Sequence, residues 1–235
     1  MKTLHLLLAE SALELVPQAL WSHPAVSKPA RQRNKRPGET LLDDTFHHAA
    51  MKQAAKRNQM TDIERRGRPD IIHTTLLVAL ESRLCKQGRL QVWVHTRDDR
   101  LLRLRPDVRL QRAQHRFYGL MERLLVDGVV PQGAVADAAL ITATPGCSLA
   151  DAVRQIGADR VVLFDEQGPD VEPGTALVDG LGPDGSTLAI VGGFPTGRLV
   201  SPLDGIDVQK VALGPEQITA WAVAMEAIVG FQARA

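Results

Sequence analysis

The chain has 235 residues, 44% of them apolar and only 4% aromatic, enough for a sizeable core of aliphatic side chains but too few rings for nucleic-acid binding by extensive base stacking. Its apolar runs are far shorter than the ~20 residues of a membrane span, which argues against that class. The net charge of +1 conceals two opposite halves: residues 1–125 hold 23 Lys/Arg against 13 Asp/Glu, and residues 126–235 hold 5 against 14. Such asymmetry points to a polyanionic partner for the first half, or to attraction between the halves within a chain or across a dimer.

Thr3–Ala9 reads as a buried strand. Its apolar run is too short for a secretory segment and meets Glu10 and Glu14 at once, so a cytoplasmic protein is expected. Residues 11–21 look helical. Residues 27–39 are basic and broken by Pro29 and Pro37, which predicts an exposed loop or short helix. Residues 41–58 can form a helix carrying His47 and His48, and residues 61–69 a polar, basic connection. Pro69 and Asp70 open an apolar helix ending near Cys85. Leu90–Thr96 alternates as a strand and Leu101–Arg105 returns, giving a β-hairpin over about 90–105. Wound as a helix, residues 105–125 place Arg109, Arg112, Arg116 and Arg123 within an arc of roughly 60°, beside an apolar arc containing Phe117, Leu120 and Leu124. Guanidiniums fork onto phosphate, so such a row suits a polyanion. A solvated face is the plainer alternative, but those usually alternate in sign, and only Glu122 follows Asp107 here.

The acidic half offers strands at Ala139–Ala143, Arg160–Phe164, Leu188–Val191 and Val208–Leu213. A helix capped by Ser148 lies between the first two, and Pro215 suits the first turn of a last helix running to about Gln232. Alternating strands and helices predict an α/β fold. Cys85 and Cys147 form no C-x-x-C pattern, which points to a reducing compartment and no structural zinc. His47, His48, His73, His95 and His115 fall in no ligand spacing, so no metal is expected. Ala189–Gly197 is a strand entering a glycine-rich turn that is neither a Walker loop nor a G-x-G-x-x-G fingerprint; a structural turn and a loop that approaches a ligand both fit. Asp70, after Arg68 and Pro69, reads as a helix N-cap or as a carboxylate kept ionised beside an arginine.

These segments together resemble a known family. LAESALELVP, WSHPAV, LLDDTFHHAAM, RPDIIH, LQVWVHT, RPDVRLQRAQHRFYGLM, IVGGFPTG and GPEQITAW occur in the order found in the pseudouridine-N1-specific methyltransferases of small-subunit ribosomal RNA, the nucleolar essential protein family of the SPOUT class. The resemblance spans nearly the whole chain. It implies a single SPOUT domain over 1–235, with a basic extension about 27–68. The implied fold is a parallel sheet flanked by helices with a deep C-terminal trefoil knot, and the implied assembly a homodimer. It implies S-adenosylmethionine held by Gly192, Gly193 and Gly197 in one loop and by Val211, Ala212, Leu213 and Gly214 in the next, with the strand end at Ala143 and Thr144 contributing. RNA contacts fall on Arg68, Arg109, Arg112 and Arg116, and Asp70 is the motif's acid. The chain departs from the family at Thr196, where many members carry His, at Gln111, where proline is usual, and at Gly214, where tyrosine is common.

The expected reaction is methyl transfer to N1 of a pseudouridine in a loop of small-subunit ribosomal RNA, in support of small-subunit biogenesis. Asp70 would accept the N1 proton and Arg68 would stabilise the base and a flanking phosphate. Two alternatives remain at this point: an RNA-binding assembly factor with an unused cofactor site, and a SPOUT methyltransferase acting on another RNA such as tRNA.

Overall fold

The computed structural model describes residues 1–135 and 138–235. In chain order it contains β1 (Thr3–Ser11), α1 (Pro24–Gln32), α2 (Asp44–Lys56), α3 (Pro69–Leu80), α4 (Arg83–Lys86), β2 (Leu90–Thr96), β3 (Arg100–Leu104) and α5 (Gln114–Asp127). There follow β4 (Val129–Val130), β5 (Ile141–Pro145), α6 (Leu149–Ile156), β6 (Arg160–Phe164), α7 (Pro173–Val178), β7 (Ser186–Gly192), β8 (Gln209–Val211) and α8 (Ala220–Arg234). One eight-stranded sheet runs in the order β4-β5-β3-β2-β1-β7-β6-β8. The five strands from β2 to β8 are parallel; β3, β5 and β4 add an antiparallel flank.

β1 is central, and its near-continuous apolar run follows from burial on both faces. Leu4, Leu6 and Leu8 face one core with Ile72, Leu76, Phe117, Ile228 and Phe231. Leu7 and Ala9 point the other way, onto Leu149, Val153, Leu188 and Ile190. A third cluster joins Val16, Leu20 and Val26 to Leu42 and Met51 of the basic extension. That extension is pinned to α5 by Glu122, which is 1% exposed. Glu122 accepts from Arg33 (2.9 and 2.5 Å), Lys35 (2.6 Å) and the Leu41 amide (3.2 Å).

Several expectations require correction. Residues 11–21 are not a helix. β1 continues to Ser11, Leu15 bridges to Leu41, and a 3-10 turn spans Gln18–Leu20. Pro17 lacks an amide donor and disfavours helix in the residue before it. The helix opened by Pro69 stops at Leu80, and Ser82 caps a separate turn. The arginine helix begins only at Gln114. Arg109 and Arg112 lie on irregular chain between β3 and α5, so the shared arc is lost and only Arg116 and Arg123 are helical. Pro106 and the bidentate Arg105–Asp107 pair turn the chain there, and Val108 is buried. Pro215 precedes α8 by several residues rather than sitting in its first turn. α7 and β4 are too short for periodicity to reveal. α6 is as expected, Ser148 Oγ accepting from the Asp151 amide. Both cysteines are free and buried.

Glu122→Ala removes the acceptor from under two cations and an amide. It is expected to cost roughly 3 kcal/mol of unfolding free energy. Arg36→Ala, at an exposed pair with Glu39 at 3.7 Å, should cost under about 1 kcal/mol; urea unfolding of the two variants checks the difference.

Candidate active site and RNA-facing surface

A cleft of about 370 Å³ opens at the C-terminal ends of β6, β7 and β8, where parallel sheets commonly place ligands. Its walls come from the end of β6 (Phe164, Asp165, Glu166), the segment after β7 (Gly192 and Phe194 to Leu199) and the segment after β8 (Val211 to Gly214). Asp165, Glu166 and Glu216 border it, and Arg198 is the one cation among the lining residues.

Gly192, Gly197, Val211, Ala212, Leu213 and Gly214 therefore line one cavity, and Thr196 joins them. Gly193 stands behind the wall. Its amide donates to the Ala9 carbonyl and its carbonyl accepts from the Ala12 amide, both at 2.8 Å. A Cβ there would lie 2.4 Å from Ser11 Oγ, so only glycine allows the loop to approach β1 this closely. Thr144 and Ala143 do not reach the cleft. They lie on β5, where Thr144 pairs with Leu101 of β3, and four strands separate β5 from β6. The strand end that meets the cleft is Phe164–Asp165. The acids after the apolar run RVVLF were a visible signal, but nothing local ranks one strand end above another.

Arg68 donates from Nε and Nη2 to the two carboxylate oxygens of Asp70, each at 2.8 Å. Asp70 is the second residue of α3 rather than its N-cap, which is Arg68. Burial raises the Asp70 pKa, but the Arg68 hydrogen bond and charge, with the Asp70 and Ile71 amides at the helix start, outweigh it; the carboxyl lies below its usual value. The Arg68 amide donates to the Ala12 carbonyl (3.1 Å), and the Ala12 amide donates to Gly193 (2.8 Å). One residue thus links the Arg68–Asp70 pair to the glycine loop. Ile72, on the same helix, packs against Gly193.

The segment carrying Arg109 and Arg112 is held by a contact from α3 rather than by a helix of its own. His73, one turn beyond Asp70, donates from Nε2 to the Gln111 carbonyl at 2.8 Å and stacks on Phe117 at 4.2 Å. This fastens the segment carrying Arg109 and Arg112 to α3. Arg116 lies on the first turns of α5. All three are exposed. The Tyr118 hydroxyl donates to Asp43 (2.6 Å) and accepts from Gln114 (2.7 Å). Burial, then Asp43, pushes its pKa well up, so it stays protonated. No group of three or more His, Cys, Asp or Glu able to hold a metal ion occurs among the described residues, and no helix among them is long and apolar enough to cross a membrane.

A sequence profile of the family described as EMG1/NEP1 methyltransferase matches residues 6–232. The ribosomal RNA small subunit methyltransferase Nep1 of Thermococcus kodakarensis is 43% identical over 230 residues, covering 98% of each chain. That of Pyrococcus furiosus is 41% identical over 234 residues, 98% of this chain and 97% of its own. The crystal structure of Archaeoglobus fulgidus Nep1 bound to S-adenosylhomocysteine superposes with a TM-score of 0.81 at 34% identity, covering 99% of this chain and 98% of that one.

Gly193→Ala is expected to destabilise the protein by about 1–3 kcal/mol, because the new methyl meets Ser11 in a packed interior. Thermal melting checks this, and an unchanged melting temperature would contradict the packing described.

Proposed function

The chain belongs to the EMG1/NEP1 methyltransferase family, and from that premise we propose that it methylates N1 of a pseudouridine in a loop of small-subunit ribosomal RNA. The chain is a small-subunit ribosomal RNA methyltransferase that uses S-adenosylmethionine and acts in ribosome biogenesis; the nucleoside, the atom and the residue roles are our reading. The observation that carries it is the link from Arg68 through Ala12 to Gly193. An ion pair flanked by exposed arginines lies one residue from the loop that walls the cleft.

The cleft suits the cofactor in size and charge. Its volume of about 370 Å³ lies within the ~300–1,000 Å³ of ordinary ligand sites. Three carboxylates against one guanidinium suit a ligand bearing sulfonium and ammonium charges. Gly192, Gly197, Val211, Ala212, Leu213 and Gly214 would hold it, with Gly193 bracing their loop from behind. When bound, S-adenosylmethionine supplies a methyl group activated by the sulfonium.

Asp70 accepts a hydrogen bond from N1–H and aligns the nitrogen. A carboxylate held below its usual range is a weak base, so Asp70 takes the proton late, as bond formation makes N1–H acidic. Arg68 fixes the carboxylate with two of its N–H groups and offers the others to a flanking phosphate. The target base must leave its stack, which a hairpin loop permits more cheaply than a duplex. Arg109, Arg112 and Arg116 hold the backbone of that loop.

We assign the trefoil knot to the chain from β7 through α8. In support, β8 pairs on the outer side of β6, and α8 returns to pack on α7 and α3. The homodimer contact is assigned to α8, where Met225 and Val229, one turn apart, are exposed with Ile218 nearby. Residues 1–235 would act as one domain.

The test is incubation with labelled S-adenosylmethionine and a loop RNA carrying pseudouridine or uridine, followed by nucleoside analysis. Label on pseudouridine alone is expected. Label on another nucleoside or only on tRNA would redirect the specificity, and RNA binding without cofactor binding would make the protein an assembly factor. Asp70→Asn should lower kcat by about 10²–10³-fold. With the Asp70 pKa depressed, the ionised form persists down through the usual carboxylate range and is lost only as pH falls through the lowered value. The rate should therefore show no Asp70 inflection between about pH 5 and 8. Arg109→Ala, Arg112→Ala and Arg116→Ala combined should weaken RNA binding and make the slope of log K against log salt shallower by about 2; an unchanged slope removes the phosphate role.

A further inference from the structure

Resting on that reading of the cleft as the cofactor site, we propose that Arg65 is a positioning residue that holds the cofactor loop in its receptive shape and ties it to the segment presenting Arg68. Arg65 ends the 3-10 turn Ile63–Arg65, three residues before Arg68. Its side chain is 11% exposed and meets the loop after β7 at three places. Nη1 donates to the Arg198 carbonyl. The guanidinium carbon lies 4.1 Å from the centre of the Phe194 ring, a cation–π contact. The side chain also passes 3.8 Å from the place a Cβ would take at Gly197, whose φ is +86°. Phe194, Gly197 and Arg198 all wall the cleft.

The other side of the guanidinium completes the clamp. Nη2 donates to Glu10 Oε2 at 2.5 Å. Glu10 Oε1 accepts from the amides of Val200 (2.9 Å) and Ser201 (2.5 Å). One largely buried ion pair therefore fastens the loop from Phe194 to Ser201 along its length. Glu10 reaches it because β1 shifts register between Leu8 and Ser11, where Glu10 takes φ +48°. A left-handed glutamate is a strained choice that surrounding contacts must hold in place.

The next residue supplies a control. Arg66 makes an equivalent pair with Glu14 (2.8 and 2.5 Å), also buried at 13% and 7% exposure, and it bonds no residue of the loop. Both pairs brace the fold; only the Arg65 pair shapes the cleft. If the receptive loop shape becomes a minor population, apparent cofactor affinity falls by that fraction. RNA held at Arg68 restrains the segment containing Arg65, so RNA and cofactor each favour the other's binding by the same factor.

The experiment is isothermal titration of S-adenosylhomocysteine into the full chain and into Arg65→Ala, Arg65→Lys, Glu10→Gln and Arg66→Ala, with and without the loop RNA. Arg65→Ala should bind about tenfold or more weakly and lose the enhancement that RNA gives the unmodified chain, while its RNA affinity without cofactor stays within about twofold. Arg65→Lys, which keeps a cation for Glu10 but loses the fork and the stack, should fall between. Arg66→Ala should melt earlier yet bind within about twofold of the unmodified chain. Equal losses in Arg65→Ala and Arg66→Ala, or no loss in Arg65→Ala, would overturn the proposal. Should Arg65→Ala fail to fold, unchanged binding in both Arg65→Lys and Glu10→Gln would overturn it, and weakened binding would uphold it. An unmodified chain that binds no S-adenosylhomocysteine overturns the functional reading and this inference with it; an unmodified chain that binds, alongside an unaffected Arg65 variant, overturns the inference alone.

Discussion

The C-terminal end of β1 is buried, and every polar group there must find its partner inside the protein. The Ala9 carbonyl and the Ala12 amide take the two backbone groups of Gly193, and the Ala12 carbonyl takes the Arg68 amide. Glu10 and Glu14, both nearly inaccessible, require a cation each and receive Arg65 and Arg66. These obligations draw two distant parts of the chain, the connection before α3 and the loop after β7, onto one strand end. The segment carrying Arg68 and Asp70 and the loop that walls the cleft meet there because each satisfies backbone groups that the end of β1 would otherwise leave unpaired.

The same constraint explains the charge pattern. Three acids of the basic half, Glu10, Glu14 and Glu122, are turned inward and consumed by Arg65, Arg66, Arg33 and Lys35. Internal pairing thus uses cations whose task is to dock segments. Arg109, Arg112 and Arg116 stay exposed, on chain anchored to α3 through His73. The acidic half borders the cleft with Asp165, Glu166 and Glu216. The exposed guanidiniums and the acid-bordered cleft thus come from opposite halves of the chain.

The geometry around Asp70 bears on how much of the catalysis is chemical. A carboxylate clamped by Arg68 and by helix amides is well oriented but weakly basic. Under the proposed function, its contribution would be alignment of a nucleophile that becomes acidic only as it reacts, a positioning role. Tyr118, kept protonated against Asp43, and His73, stacked on Phe117, hold the surrounding helices in place.

Much was legible in the sequence. The buried runs at Thr3–Ala9, Arg160–Phe164 and Leu188–Val191, the Ser148 cap and the hairpin at 90–105 follow from local periodicity and capping, which depend on neighbours a few residues away. Charge counting separated the two halves, and the ordered motifs carried the family. The places where local reading failed share one cause. A regular wheel placed Arg109 and Arg112 on a helix that Pro106 and the pull of His73 do not allow. A strand end at Thr144 was as plausible as one at Phe164, because only the sheet order puts β6 beside β7 and β5 at the far flank. Arg65 carried no signal at all, being one cation in a basic connection until Glu10 and Phe194 arrive from elsewhere in the chain. Sequence alone determined most of the buried strands, the helix capped by Ser148 and which half bears which charge. The tertiary structure decided which strand ends meet and which arginine is spent inside, since those depend on contacts between residues far apart along the chain, which leave no periodic trace in it.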